Sequence, residues 1–396
     1  MYGFIILGLS VLFSTPTVLI PQHNAILYPE YWYEVMISAS TVNSLGLVLN
    51  TMLECKITFK EDEFSSLKCF LGFFIVAALG VILPFTNCYL IWTMWLGYNN
   101  PMPFVGFCYY ISYFAHLFQL WLMFTVNERK HERKRITAYF LYRFWFLVIS
   151  LQNVALRMVF NKLPINTQWI MGFVLPLVRE MNTWILAKLL EKSTESDKTV
   201  AKLITTISIN VVHAFFVAII ISSMANQLTS FCILGVDLLL NLYGCCKITK
   251  IKHKIEVISS ENIDTFKSIK TETMNLFAIE AIEVFIPFIL VLTFLLAYYG
   301  PNGEILGGIR NSYWHFKEIY NIGFIISELA LMFSIDLLGL LLISLILYKC
   351  CKTDFFYEGY ELMKIYWPIM AIKIAGKISQ VSTILTIALC SYMILK

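Results

Sequence analysis

Apolar runs of about 20 residues recur along the chain, and polar clusters separate them. A helix of that length crosses roughly 30 Å of hydrocarbon, the thickness of a bilayer core. The chain has 58% hydrophobic and 14% charged residues and a mean hydropathy of +0.71, whereas a soluble domain has about half and about a quarter. Segments of about ten alternating residues, typical of a membrane β-barrel, do not occur in the sequence. We therefore predict an all-α polytopic integral membrane protein.

The runs predict about 11 transmembrane helices in a single integral domain, 1–396, because no Pro-, Ser- or Gly-rich linker interrupts the chain. Their predicted positions are 2–20, 33–55, 69–96, 103–126, 136–160, 168–190, 203–225, 229–246, 273–299, 319–348 and 365–395. An alternative for the first run is a cleaved signal peptide, which would leave 10 spanning helices.

The distribution of basic residues predicts how the helices are oriented. With a cytoplasmic N-terminus, 20 Lys and Arg residues fall in the inner connections, against Lys162, Arg310 and Lys317 in the outer ones. Because Lys and Arg favour the cytoplasmic side, we predict that orientation, and we favour the plasma membrane over an internal membrane. The net charge of +4 comes from these connections and suits attraction to anionic lipid, not nucleic-acid binding.

Two connections differ from the rest in length or composition. We predict the longest cytoplasmic loop at 247–271, where lysines are frequent. A structured extracytoplasmic loop is predicted at 300–317, because its Gly-Pro-Asn-Gly sequence is typical of a tight turn. This outer loop either caps a vestibule or simply joins two helices.

None of the ten cysteines lies in a predicted outer loop, which argues against a disulfide framework. Cys245 with Cys246 and Cys350 with Cys351 form two adjacent pairs beside lysines at predicted inner helix ends. That setting is typical of reversible palmitoylation, and ordinary interfacial cysteine is the alternative. Adjacent cysteines lack the C-x2-C spacing of a zinc site, so we predict no metal and no cofactor.

Ionisable residues inside the predicted helices point to function. Each ionised side chain at a helix centre costs about 2.5–3.5 kcal/mol on insertion scales, so an unpaired set could not face lipid. Polar residues recur at helical spacing on at least five helices, as Asp237 and Asn241 do. We therefore predict that a polar core or aqueous path is lined by Arg179, Glu180, His213, Asp237, Asn241, Glu280, Glu283, Glu328, Asp336, Lys373 and Lys377.

Two features of this set favour transport. Arg179 and Glu180 lie side by side in the apolar run GFVLPLVREMNTWILAKLLEK, and we expect Arg179 to neutralise an acid on another helix. Glu280 and Glu283 bring two like charges together at i and i+3, an arrangement that a carrier coupled to protons or cations would use. The predicted partners are therefore the bilayer and a small solute or ion. The alternative is that the charges only hold the helices together.

Two other non-enzymatic functions stay open. The sequence has no TVGYG-like filter and no arginine ladder, but a channel of a new type, assembled as a homo-oligomer, is an alternative. A multi-pass receptor or chemosensor would suit the aromatic outer loops and the paired inner cysteines.

An enzyme is a further alternative. Asn182 in REMNTWILAKLL and His213 in INVVHAFF resemble, in their spacing, the Asn and His of the membrane-bound O-acyltransferases. That resemblance would imply acyl transfer within the membrane. The tryptophan-rich sequence that accompanies the Asn in that family is missing, with Met181 where a Trp is expected.

Overall fold

The computed structural model describes residues 133–193, 198–222, 227–258, 263–299, 322–371 and 373–374, together with the single positions 78, 82 and 94. The following predictions lie outside these ranges: the helices at 2–20, 33–55, 69–96 and 103–126, the loop at 300–317, most of the helix at 365–395, and Lys377.

Seven α-helices account for nearly all of the described ranges. They are α1 (Arg133–Lys162), α2 (Met171–Ser193), α3 (Lys198–Ser222), α4 (Gln227–Ile258), α5 (Ile263–Tyr299), α6 (Ile322–Cys351) and α7 (355–371). A short 3-10 helix, Ile165–Ile170, joins α1 to α2. The all-α prediction is confirmed for the part of the chain that the structure describes.

Six helical sections are long and apolar enough to cross a membrane. They are Lys134–Lys162, Ile165–Ser193, Val200–Ile221, Leu228–His253, Ile269–Thr293 and Gly323–Cys351. The shortest has 22 residues, which exceeds the roughly 20 that a bilayer core requires. These sections confirm an integral membrane protein, while the predicted total of about 11 helices includes positions outside the described ranges.

The helices extend beyond the apolar runs that predicted them. The segment expected as the longest cytoplasmic loop, 247–271, is helical from 247 to 258 and again from 263 to 271. Hydropathy marks only the section of a helix that lies in hydrocarbon. Lysine is itself a good helix former, so a helix continues through lysine-rich sequence into the polar region.

The break between α6 and α7 has a local cause. Lys352 has a φ of 50°, a left-handed conformation that ends a helix. Asp354 Oδ1 then accepts hydrogen bonds from the backbone N–H groups of Phe356 and Tyr357, both at 3.0 Å. A carboxylate at this position caps the first turn of the next helix. The last described helix therefore begins at 355 and not at 365, where the apolar run predicted a helix.

The central helix of the described bundle is α3. Its side chains are buried on all sides, as Ile207, Ala218 and Ile220 illustrate with no exposed surface. It packs against α2, α5 and α6, while α1 packs on α2 at the edge. The other side of α2, α5 and α6 packs against α4, which makes little contact with α3. Three helices thus form a middle layer between α3 and α4.

The outward faces of the helices are apolar. On α2, Phe173, Leu177 and Trp184 follow one another at helical spacing and are 58%, 71% and 65% exposed within the described residues. A soluble protein rarely exposes contiguous apolar surface of this kind. These faces are therefore those expected of helices that contact lipid or further membrane helices.

Gly359 allows α7 to lie directly against α5. A Cβ atom at this position would lie 2.3 Å from the ring of Phe277. That ring also packs edge-on against Phe355, with the ring centroids 5.3 Å apart, and is only 9% exposed. A Cβ atom at Gly235, by contrast, would have nothing within 4 Å among the residues that the structure describes.

We predict that Gly359→Ala lowers the melting temperature of the detergent-solubilised protein, because overpacking of this kind costs about 1–3 kcal/mol. Gly235→Ala is the matched control. It should leave the melting temperature unchanged or raise it, since alanine is favoured over glycine in a helix by about 1 kcal/mol. Equal melting temperatures for the two variants would contradict the close contact between α5 and α7.

Candidate functional site

A polar residue lies at the midpoint, or one residue from it, in five of the six apolar sections. These residues are Arg179 on α2, Asn210 on α3, Asn241 on α4, Glu280 on α5 and Asp336 on α6. A helix rises 1.5 Å per residue, so these five residues lie about 15 Å or more from both ends of their sections, deep within each helix. Six residues at this depth form what we call the midplane cluster: Arg179, Asp237, Asn241, Glu280, Glu283 and Asp336.

Arg179 is the centre of the midplane cluster. Its Nη1 atom lies 3.0 Å from Asp237 Oδ1 on α4. The same atom lies 3.0 Å from Glu283 Oε1 on α5 and donates a hydrogen bond to it. Arg179 and Glu283 are both buried, at 4% and 3% exposure. One guanidinium group therefore connects three helices through charge-assisted contacts, which are stronger than contacts between neutral groups.

Asn241 completes the environment of Glu283. Its Nδ2 atom donates a hydrogen bond to Glu283 Oε2 at 2.9 Å. Asp237 and Asn241 are four residues apart on α4, so they project from the same face of that helix. Both oxygens of Glu283 consequently have a partner, one a guanidinium and the other an amide.

Glu280 and Asp336 add two carboxyl groups to the cluster. Glu280 is 1% exposed and interacts with Asp237, Asn241 and Arg179. Asp336 interacts with Asp237 and Glu280. Glu280 Oε1 and Asp336 Oδ2 have no hydrogen-bond partner among the described residues. The described part of the cluster therefore contains four carboxyl groups and a single guanidinium group.

His213 and Gly339 also lie beside the cluster. His213 on α3 interacts with Arg179 and Asp237. Gly339 brings the backbone of α6 close to the cluster, because a Cβ there would lie 3.3 Å from Glu280 Oε2 and 3.0 Å from Leu238 Cδ1. Small residues allow membrane helices to approach in this way. Among the described residues, no group of three or more His, Cys, Asp or Glu side chains is arranged to hold a metal ion.

Glu180 lies at the rim of the cluster and not within it. Its Oε1 is 3.8 Å from Arg179 Nε, and its side chain is 69% exposed within the described residues. Leu177 and Trp184, three residues before it and four after it, are also exposed, so Glu180 shares their outward face. The structure thus separates two adjacent residues that the sequence analysis treated together.

Two other predicted site residues lie elsewhere. Glu328 is 1% exposed on α6, but it precedes Asp336 by about two helical turns, or roughly 12 Å along the axis. Lys373 Nζ lies 5.4 Å from the centre of the Phe146 ring on α1, within the range of a cation–π contact.

A polar contact between α1 and α2 was not predicted. Asn182 Oδ1 accepts a hydrogen bond from Trp145 Nε1 at 3.1 Å, and its Nδ2 donates to Gln152 Oε1 at 2.8 Å. Trp145 and Gln152 are seven residues apart, a spacing that places them on one face of α1. The side-chain amide of Asn182 therefore bonds to residues of α1. His213, the other residue of the acyltransferase resemblance, instead interacts with Arg179 and Asp237.

The fold and the cluster define an α-helical integral membrane protein with a charged interior. Comparisons with known protein families, with curated proteins and with solved structures find no match to the chain. Its function has to be inferred from the midplane cluster itself.

We predict that Arg179→Gln strongly reduces the yield of folded protein. It would leave Asp237 and Glu283 as buried charges, and breaking a buried ion pair costs about 3–5 kcal/mol. Adding Asp237→Asn and Glu283→Gln to this variant should recover much of the loss, because no uncompensated charge then remains between these residues. The measurements are the monodisperse fraction and the melting temperature in detergent.

Glu180→Gln is the matched control for this experiment, since it removes a charge from the neighbouring position. Its largely exposed side chain and longer ion-pair distance predict a small change in melting temperature, because exposed ion pairs contribute about 0–1 kcal/mol. Equal losses for Arg179→Gln and Glu180→Gln would show that Arg179 does not hold the helices together.

Proposed function

We propose that the protein is a carrier of a small solute or ion, driven by protons or cations that bind at the midplane cluster. The observation that supports this proposal is the excess of carboxyl groups over guanidinium groups at the centre of the described apolar helices. Ionisable residues in membrane helices typically mark ion pathways and proton relays.

This excess favours coupling over simple helix association. A buried ion pair needs one acid for each base, and Arg179 already contacts Asp237 and Glu283 at 3.0 Å. Glu280 and Asp336 therefore add charges that destabilise the helices unless something neutralises them. A proton or a cation at these carboxyl groups would provide that neutralisation, and its binding and release would make the cluster an energy-coupling site.

The arrangement also provides a way for binding to move a helix. Arg179 presents one nitrogen atom to two carboxylates on different helices. Neutralising Glu283 would weaken the link between α2 and α5 and leave the link between α2 and α4. The proton or cation would then favour one arrangement of the helices over another, which is the requirement for coupling.

Two prolines lie next to the residues that would exchange partners. Pro176 lies three residues before Arg179 inside α2, and Pro287 lies four residues after Glu283 inside α5. A proline removes the N–H that would bond the carbonyl four residues earlier. The backbone carbonyl of Glu283 thereby lacks its usual helical hydrogen bond. In both α2 and α5, the interrupted backbone hydrogen bonding lies on the same side of the cluster.

The experiment that tests the proposal measures membrane current and intracellular pH in cells expressing the chain alone. External pH is stepped and the main cations are exchanged. We expect a flux that depends on pH or on a cation. A protein shown to be at the cell surface but without flux would contradict ion coupling and favour a receptor.

The decisive variants are Glu280→Gln and Asp336→Asn. We predict that each lowers the flux by about tenfold or more, equivalent to about 1.4 kcal/mol, because each removes an exchangeable charge. Their melting temperatures should stay unchanged or rise, since a buried surplus charge is lost. Glu180→Gln, at the rim, should retain most of the flux. Full flux in Glu280→Gln and Asp336→Asn would mean that these acids have only a structural role.

A further inference from the structure

The two cysteine pairs lie together at one end of the bundle, where α4 packs against α6. The Cys351 thiol is 3.7 Å from Thr249 Oγ1, to which it donates a weak hydrogen bond. The Thr249 hydroxyl in turn donates to the carbonyl oxygen of Cys245 at 3.1 Å. Lys252 Nζ donates to the carbonyl oxygen of Cys351. Cys245 and Cys351 are thus part of the contact between the two helices.

Within each pair, one thiol is buried and the other is exposed. Cys245 has no exposed surface and Cys351 is 3% exposed. Cys246 and Cys350 are exposed within the described residues. Neighbouring residues on a helix are rotated by about 100°, so the packing that buries one thiol of a pair turns the other outward.

Cys246 lies at the boundary between apolar and basic surface on α4. Leu239 and Tyr243 precede it at helical spacing on the outward face and are 66% and 67% exposed. Lys247 and Lys250 follow it and are also exposed. Tyrosine favours the headgroup level of a membrane, and lysine extends into water beyond it. The Cys246 thiol is therefore expected at the membrane interface.

Cys350 has an equivalent position on α6. Leu345 and Tyr348 precede it and are 51% and 62% exposed. Lys349 and Lys352 flank it and are also exposed. Thus α4 and α6, which pack side by side, each present an outward-facing thiol at a boundary between apolar and basic surface. In both helices, the apolar face beside the thiol can lie along an acyl chain.

We infer that Cys246 and Cys350 are S-acylation sites that take a long-chain acyl group from an acyl thioester such as acyl-coenzyme A. The cysteine sulfur attacks the carbonyl carbon of the thioester and gives up its proton. The bond between that carbon and the coenzyme A sulfur breaks, and the departing thiolate takes up a proton. One thioester replaces another, so no oxidant or reductant is needed.

The basic residues at this end of α4 and α6 support the location of the reaction. They predict that this end is cytoplasmic, which is the side where acyl-coenzyme A is available to a juxtamembrane cysteine. The attached chain would extend from the interface into hydrocarbon beside the apolar faces that contain Leu239 and Leu345. This inference is independent of any transport activity.

The test is acyl exchange on the full chain expressed in cells. Free thiols are blocked, thioesters are cleaved with hydroxylamine, and the released thiols are labelled with a polyethylene-glycol maleimide that slows migration in a gel. We expect Cys246→Ser and Cys350→Ser each to remove one hydroxylamine-dependent shift from those of the unaltered chain, and the double variant to remove two. Labelling with an alkyne-tagged hexadecanoic acid should show the same pattern.

Cys245→Ser and Cys351→Ser are the matched controls, because each changes the neighbouring but buried thiol. Both should retain every shift of the unaltered chain. The melting temperature of each variant confirms that it is folded, and alanine replaces serine if the buried hydroxyl prevents folding. An unaltered chain without a hydroxylamine-dependent shift would overturn the inference. So would a double variant with as many shifts as the unaltered chain, or shifts that disappear from folded variants of the buried cysteines alone.

Discussion

The contact that organises the described helices is the guanidinium group of Arg179 held between Asp237 and Glu283. All three groups lie deep in the apolar sections of their helices, where an exposed charge would be costly. Because the carboxylates on α4 and α5 must reach the same nitrogen atom, the rotation of α2, α4 and α5 about their own axes is fixed. Apolar residues then fill the outward faces, and α3 supplies the aliphatic packing behind the cluster.

The partners of the acidic residues separate them into two groups. Glu283 has both oxygens occupied, one by Arg179 and the other by Asn241, so its charge stabilises the helix contacts. Asp237, Glu280 and Asp336 each have an oxygen without a hydrogen-bond partner among the described residues, although Asp237 Oδ1 lies 3.0 Å from Arg179 Nη1. Glu280 and Asp336 thus contribute little to helix association, but they lie beside the residues that hold the helices together. A change in their charge can therefore alter that association.

Hydropathy was sufficient to predict the described membrane-spanning helices, because an apolar run of this length has few other stable structures in a bilayer. It did not predict where they end, since the start of α7 depends on the Asp354 cap and on the conformation of Lys352. The presence of interior charges was also readable from the sequence. Which of them meet was not, because that depends on helix adjacency: Arg179 and Glu180 differ by one residue, but only Arg179 faces inward.

The position of α4 has a mechanical consequence. It lies on the opposite side of α2, α5 and α6 from α3, with which it makes little contact, and it contributes both Asp237 and Asn241. A displacement of α4 would separate Asp237 and Asn241 from Arg179 and Glu283 and leave the aliphatic packing around α3 intact. Among the described helices, α4 is therefore the one whose movement would alter the cluster without disturbing that packing.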